Sequence, residues 1–176
     1  RDVRQKNAGR LIYLSPQGAP LTQAKALEFA QASALILLCG RYEGIDERFI
    51  ERNVDVELSV GDFVVSGGEL PAMLVIDSMV RQIPGTMNSL ESVVNDSFMN
   101  GLLDCPHYTT PRNYKGSQVP QELLSGNHKV IEEWRLQQSL WRTYIRRPEL
   151  LADKQLNKIQ SRLLNEMISR NKMKEI

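Results

Sequence analysis

The sequence predicts an α/β domain built on a parallel sheet, followed by a smaller all-helical domain. Three observations point there. Residues 34–39 (Ala-Leu-Ile-Leu-Leu-Cys) form a continuous apolar run of strand length closed by Gly40, and such runs suit a parallel strand buried on both faces. Residues 11–44 read strand, turn, helix, strand, turn, which is a βαβ unit. From Gly126 onward the apolar residues recur at helical spacing.

Each element has its own signal. Residues 1–9 are polar and read as a frayed start. Residues 11–14 are a short apolar strand, ended by the turn Ser15-Pro16-Gln17-Gly18. Leu21, Ala24, Leu27, Phe29 and Ala30 mark a helix over 21–32. After the strand at 34–39, residues 45–52 are short and charged, a helical turn, and 54–58 alternate as a further strand. Residues 59–71 (Ser-Val-Gly-Asp-Phe-Val-Val-Ser-Gly-Gly-Glu-Leu-Pro) read as a strand at 62–66, a turn at Gly67-Gly68, and a helix start that tolerates Pro71 in its first turn. Residues 70–82 are apolar around much of their girth and predict a well-buried helix.

Beyond Pro84 the chain turns polar, and residues 86–100 read as a flexible linker between domains 1–85 and 101–176. Residues 101–120 are irregular and punctuated by proline. Asn127 is an N-cap for a helix carrying Val130, Ile131, Trp134, Leu140, Trp141 and Tyr144, which Arg146-Arg147-Pro148 breaks. A last helix is expected over 153–173, with Leu156, Ile159, Leu163, Met167 and Ile168 on one side. Trp134 and Trp141, seven apart, read as core rather than stacking platforms.

Composition bounds the function. No apolar run approaches the roughly 18–20 residues of a membrane span. The first residue is Arg1 rather than Met, so a fragment or trimmed product is expected. Cys39 and Cys105 are far apart, sit among apolar residues and read as free buried thiols in a reducing cytoplasm. The net charge of +1 hides a split. Residues 1–100 hold nine Lys/Arg and thirteen Asp/Glu, a balance of −4; residues 101–176 hold thirteen and eight, a balance of +5. The basic half suits a polyanionic partner, or simply solvated helix surfaces.

The chemistry gathers at three glycine-bearing turns, 15–18, 40–44 and 61–68, each after an expected strand. In a parallel sheet such turns meet at the C-terminal edge, where ligands bind. None is a dinucleotide or Walker A fingerprint, and none contains lysine. A ligand without phosphates, held by backbone groups, fits them better. Residues 40–48 (Gly-Arg-Tyr-Glu-Gly-Ile-Asp-Glu-Arg) are dense in charge beside a buried strand, as part of a site or as a solvated turn with internal ion pairs. Arg81 ends an apolar helix, as a cation favoured there or as a guanidinium aimed at an anionic group. Asp96 is a carboxylate in the polar linker. His107 and His128 have no metal-ligand spacing.

Four motifs in order carry a resemblance: Tyr13-Leu14-Ser15-Pro16-Gln17-Gly18, residues 39–48, residues 59–71, and residues 101–108 (Gly-Leu-Leu-Asp-Cys-Pro-His-Tyr). Together they resemble the TrmD family, the bacterial tRNA (guanine-N1)-methyltransferases of the SPOUT class, over nearly the whole chain and least after Pro148. The resemblance implies a trefoil-knotted α/β domain over 1–85 and a basic tRNA-binding domain over 101–176. It implies S-adenosylmethionine bound by Tyr13, Leu14, Ser15, Pro16, Gly18, Gly40, Tyr42, Glu43, Gly44, Ser59, Val60, Gly61, Phe63, Val65, Gly67, Gly68 and Pro71. Family members often have Tyr where Phe63 stands, and Ile or Leu at Val60 and Val65. It further implies Asp96 as the general base and Arg81 as its catalytic partner, and Ser92, Asp104 and His107 as substrate-binding residues. Mg²⁺ near Glu43 and Asp96 is also implied, as are a cytoplasmic homodimer with the site between subunits and a tRNA anticodon stem-loop as partner.

The implied reaction suits those residues. Guanine N1 becomes a nucleophile when a carboxylate removes its proton, and charge then building toward O6 can be met by a guanidinium. Family members carry roughly one further third of chain before the Tyr13 strand, with a loop that touches the guanine. If the given chain is the whole molecule, cofactor binding is expected to survive while methylation is lost or crippled. The competing reading is a non-catalytic RNA-binding module, which would show steep salt dependence and no cofactor effect. A Rossmann-type oxidoreductase lacks its phosphate fingerprint.

Overall fold

The computed structural model describes residues 2–87, 94–152 and 154–172. The chain divides into two compact units, residues 1–93 and 94–176.

The first unit is α/β. A parallel sheet of order β2-β1-β3 holds β1 (Arg10–Pro20), β2 (Leu35–Cys39) and β3 (Val56–Ser59). Leu11 pairs with Ile36 and Tyr13 with Leu38, while Ile12 pairs with Val56 and Leu14 with Leu58. Around it lie α1 (Asp2–Lys6), α2 (Gln23–Ala30), α3 (Glu47–Asn53) and α4 (Glu69–Val80). Thr22 caps α2 by accepting the Lys25 N–H, and Asp46 caps α3 by accepting that of Arg48. The core joins Ile12, Leu14 and Leu58 from the sheet with Phe29 of α2 and Ala72 and Val75 of α4.

Residues 2–6 of the stretch expected as a frayed start form α1, which Arg4 ties to the Asn53 carbonyl at 2.8 Å and to the Asp55 carboxylate. Three further sequence expectations for this unit need correction. The turn expected at 15–18 lies inside a long β1. Leu14 and Ala19 both pair with Leu58, so the four residues between them leave the ladder as a bulge and the strand resumes. The strand expected at 62–66 does not form. The Ser59 hydroxyl accepts the Gly61 N–H and donates to its carbonyl, which ends β3 in a tight turn. Phe63-Val64-Val65 then find no neighbouring strand, and Val64 is 85% exposed. The third correction concerns α4. Only Pro71, Ala72 and Val75 are buried, whereas Leu70, Met73, Leu74, Ile76 and Val80 stand 40–64% exposed.

The second unit is mainly helical. A hairpin of β4 (Asn113–Tyr114) and β5 (Ser117–Gln118) precedes α5 (Gln121–Leu124), α6 (His128–Arg146), α7 (Glu149–Ala152) and α8 (Lys158–Lys172). The hairpin falls in a stretch expected to be irregular; Lys115 and Gly116, both at positive φ, make its turn. Asn127 does cap α6, accepting the Lys129 N–H. The last helix starts at Lys158 rather than at 153, because the side-chain Oδ1 of Asn157 accepts the N–H groups of Ile159 and Gln160. Its inner face carries Leu163 and Leu164, and Ile159 is exposed. Leu102, Leu140, Leu163 and Leu164 form the core. Trp134 is buried near Tyr108, and Trp141 stacks on Tyr144. Of the stretch expected as a linker, 88–93 lie outside the described residues. Residues 94–100 turn back into this unit, where the Phe98 N–H donates to the Leu102 carbonyl at 2.7 Å.

The segment after Gly101 is fixed to α6 by two hydroxyls. Thr143 Oγ1 accepts the Leu103 N–H at 2.9 Å and donates to the Ser139 carbonyl at 2.7 Å, while the Ser139 hydroxyl donates to the Leu103 carbonyl. Thr143 is fully buried. Thr143→Val keeps the shape but leaves the Leu103 N–H without its partner. Urea denaturation should show a loss of about 1–3 kcal/mol; an unchanged midpoint would contradict this role.

Candidate functional site

The three glycine-bearing turns meet. They enclose a cavity of about 220 Å³ at the C-terminal ends of the parallel strands, lined by residues 13–17, 40–44, 58–61, 63–68 and Pro71. The first wall is the β1 bulge, where Ser15 Oγ accepts the Gln17 N–H at 3.1 Å. The second is the turn after β2, held by the Gly44 N–H on the Arg41 carbonyl. Tyr42 takes φ 59° there and is almost wholly exposed. The third is the irregular segment that follows β3.

Main chain locks the second wall to the third. The Gly68 N–H donates to the Gly40 carbonyl at 2.9 Å, and Arg41 and Gly67 form an isolated antiparallel bridge. The Arg41 guanidinium adds an ion pair to Glu69 at 2.8 Å. That hydrogen bond, then the Glu69 backbone N–H, holds the Glu69 carboxyl below the usual range. Both partners are exposed, so the pair contributes little to stability. Burial, then the nearby Glu57 and Glu47, pushes the Tyr13 phenol up, so it stays neutral over the working range of pH.

Nearly every residue expected at a cofactor site lines this cavity: Tyr13, Leu14, Ser15, Pro16, Gly40, Tyr42, Glu43, Gly44, Ser59, Val60, Gly61, Phe63, Val65, Gly67, Gly68 and Pro71. Gly18 does not. It lies behind the bulge, where a Cβ would fall 2.3 Å from the Leu58 nitrogen. The sequence reading missed Gln17, Arg41, Leu58, Val64 and Ser66 as lining residues. Four of them belong to turns already singled out; Leu58 was read only as strand. The Arg41–Glu69 pair spans 28 positions and left no local signal.

The remaining candidates are not among the lining residues. Arg81 is the C-cap of α4, half-buried, with its N–H on the Asp77 carbonyl. Asp96 belongs to the second unit, half-buried in a turn where its main-chain carbonyl accepts the Met99 N–H. Ser92 lies outside the described residues. Asp104 and His107 are joined by a hydrogen bond of 2.7 Å, and Asp104 also accepts the Cys105 N–H at 2.6 Å. Partial burial pushes the Asp104 carboxyl up, but the bonds from His107 and Cys105 outweigh it and the net shift is downward.

Arg41 and Glu43 are the charged side chains among the described lining residues. Such a cavity offers a ligand apolar walls and main-chain groups, with no cluster of cations for a phosphate chain. Glu43 is a single carboxylate, too few oxygens for a magnesium site.

Comparison with known proteins bears on what the cavity takes. The family description "tRNA (Guanine-1)-methyltransferase TrmD" matches residues 1–153. The chain is 60% identical over 168 residues to the tRNA (guanine-N(1)-)-methyltransferase of Chromobacterium violaceum, covering 93% of this chain and 66% of that protein. It is 60% identical to the enzyme of the same name from Aromatoleum aromaticum, covering 90% and 60%. For that of Neisseria meningitidis serogroup C the identity is 55%, covering 94% and 67%. The chain thus spans 60–67% of the length of these relatives.

The cavity walls depend on bare backbone at Gly68. A Cβ there would lie 2.6 Å from Cys39 Cα and 3.0 Å from the Gly40 nitrogen, neither of which can yield. Gly68→Ala should cost about 3 kcal/mol in chemical denaturation. A variant as stable as the parent would show that the turns are not so tightly stacked.

Proposed function

The chain belongs to the tRNA (guanine-1)-methyltransferase family, and from that premise we propose that it acts in methylating N1 of the guanine immediately 3′ of the anticodon in tRNA, with S-adenosylmethionine as donor. The observation that carries this reading is the three-walled cavity, because its walls suit that donor. S-adenosylmethionine has no phosphates, and the cavity gathers no cluster of cations. Its adenine edge would be met by main-chain N–H and C=O groups of the stacked turns, and its faces by Leu14, Val60, Val65 and Pro71. When bound it supplies an electrophilic methyl group, which needs chiefly in-line approach.

On this reading Asp96 removes the N1 proton and so creates the nucleophile. Arg81 places its guanidinium where charge builds on O6. Asp104, His107 and Ser92 bind the RNA, and the basic residues 101–176 hold its phosphates.

Three further proposals complete the picture. The active form is a homodimer sharing its sites between subunits, and its interface includes the exposed apolar face of α4. Leu70, Met73, Leu74 and Ile76 on one solvent-facing helix support this, since contiguous apolar surface of that kind marks interaction sites. The first unit is a trefoil knot. The passage of main chain directly past main chain at Gly18 and Gly68 supports threading rather than simple reversal. No helix among the described residues is long and apolar enough to cross a membrane, and the cytoplasm is the proposed compartment.

Two variants test the reading. Gly67 lines the cavity, and a Cβ there would meet Glu69 Oε2 at 2.5 Å and Arg41 Cγ at 3.3 Å. Calorimetry should show that Gly67→Val abolishes S-adenosylmethionine binding while circular dichroism is retained; unchanged affinity would refute the placement. In the full gene product, Asp96→Ala should slow methylation of an anticodon stem-loop at least about 100-fold. Equal rates would remove Asp96 as the base.

A further inference from the structure

We propose that Asp104, Cys105 and His107 form a binding site for a thiophilic divalent cation, Zn²⁺ foremost. Among the described residues they bring a carboxylate oxygen, a thiol sulfur and an imidazole nitrogen within 4.8 Å of one another. Its ligands are none of the cavity's lining residues, and two of them, Asp104 and His107, are shared with the RNA-binding residues proposed above.

The donor set decides the metal. Thiolate, imidazole and carboxylate together are zinc chemistry, with bonds of about 2.0–2.3 Å. Tetrahedral ligands at those lengths stand about 3.3–3.8 Å apart, inside the present spread. Asp104 Oδ2 and His107 Nε2 are now 2.7 Å apart and share a proton. Binding would replace that hydrogen bond with two metal bonds, its proton passing through solvent to His107 Nδ1, and open the pair by roughly half an ångström or more. As the sulfur–metal bond forms, the Cys105 thiol proton leaves to solvent. Magnesium is disfavoured, since it demands oxygen ligands in octahedral array.

The backbone is already ordered for this. Both main-chain groups of Leu103 are tied to α6 by Thr143 and Ser139. The Asp104 N–H donates to Ser97 Oγ at 2.9 Å and the Cys105 N–H to Asp104 Oδ1. Pro106 stiffens the link to His107. Cys105 closes the site from the buried side, and the His107 side chain is 74% exposed. A cation can therefore enter from solvent and keep one coordination position open, as in three-ligand zinc sites.

Cobalt reports on such a site directly. The reduced chain, stripped with a chelator, is titrated with Co²⁺ alone. A thiolate-to-cobalt charge-transfer band in the near ultraviolet and tetrahedral bands in the visible should grow to one equivalent. Zn²⁺ should abolish them and excess Mg²⁺ should not. Cys105→Ser should lose the charge-transfer band, and Cys39→Ser should keep it. His107→Ala alters an exposed side chain, so folding is not at stake, and should weaken binding at least about 10-fold. The proposal is overturned if no thiolate band appears, if the band follows Cys39 instead of Cys105, or if His107→Ala binds as the parent does.

Discussion

Main chain running hard against main chain at two glycines is the constraint on which the first unit depends. At Gly18, β1 re-enters the ladder so close to Glu57 and Leu58 that any Cβ would overlap their backbone. At Gly68, the start of α4 lies directly on Cys39 and Gly40. These contacts decide what the cavity is made of. With no side chain at those two contacts, the β1 bulge and the segments after β2 and β3 stack and wall the cavity. The Gly68 N–H on the Gly40 carbonyl, the Arg41–Gly67 bridge and the Arg41–Glu69 pair then fix the second wall to the third. A ligand recognised mostly by backbone follows from that packing.

The βαβ order and the gathering of three turns at one sheet edge were legible in the sequence, because apolar runs and glycines are local signals. What failed was non-local. Phe63-Val64-Val65 are good strand formers, yet a strand needs a partner, and the Ser59–Gly61 turn carries them away from the ladder. The 15–18 turn was seen, but not that β1 resumes beyond it against the same residue, Leu58. On α4 the apolar girth was read as burial within the chain. The structure buries one narrow stripe, Pro71, Ala72 and Val75, and leaves the rest to face outward. Helical periodicity reports that a face is apolar and is silent on what covers it.

In the second unit the same contrast holds. The Asn127 cap and the Arg147-Pro148 break were plain from residue type. The attachment of Leu103 to Thr143 and Ser139 joins positions some forty apart and could be seen only in three dimensions. That attachment organises the loop bearing Asp104, Cys105 and His107. Reading the cysteines only for spaced pairs overlooked a mixed set at adjacent positions of an irregular segment, where side chains can converge without helical or strand periodicity. Asp96 and Arg81 stood out through resemblance to a family, since neither position carries a distinctive local pattern.

The central claim is that the stacked glycine turns are an S-adenosylmethionine site formed by backbone. The most direct measurement is the amide spectrum of the ¹⁵N-labelled chain titrated with S-adenosylmethionine. The account predicts saturable shifts at residues 13–15, 17, 40–44, 58–61 and 63–68, the non-proline backbone of the walls, with the amides of α6 and α8 unmoved. Saturation without shifts in those turns, or no shifts at all, would contradict it.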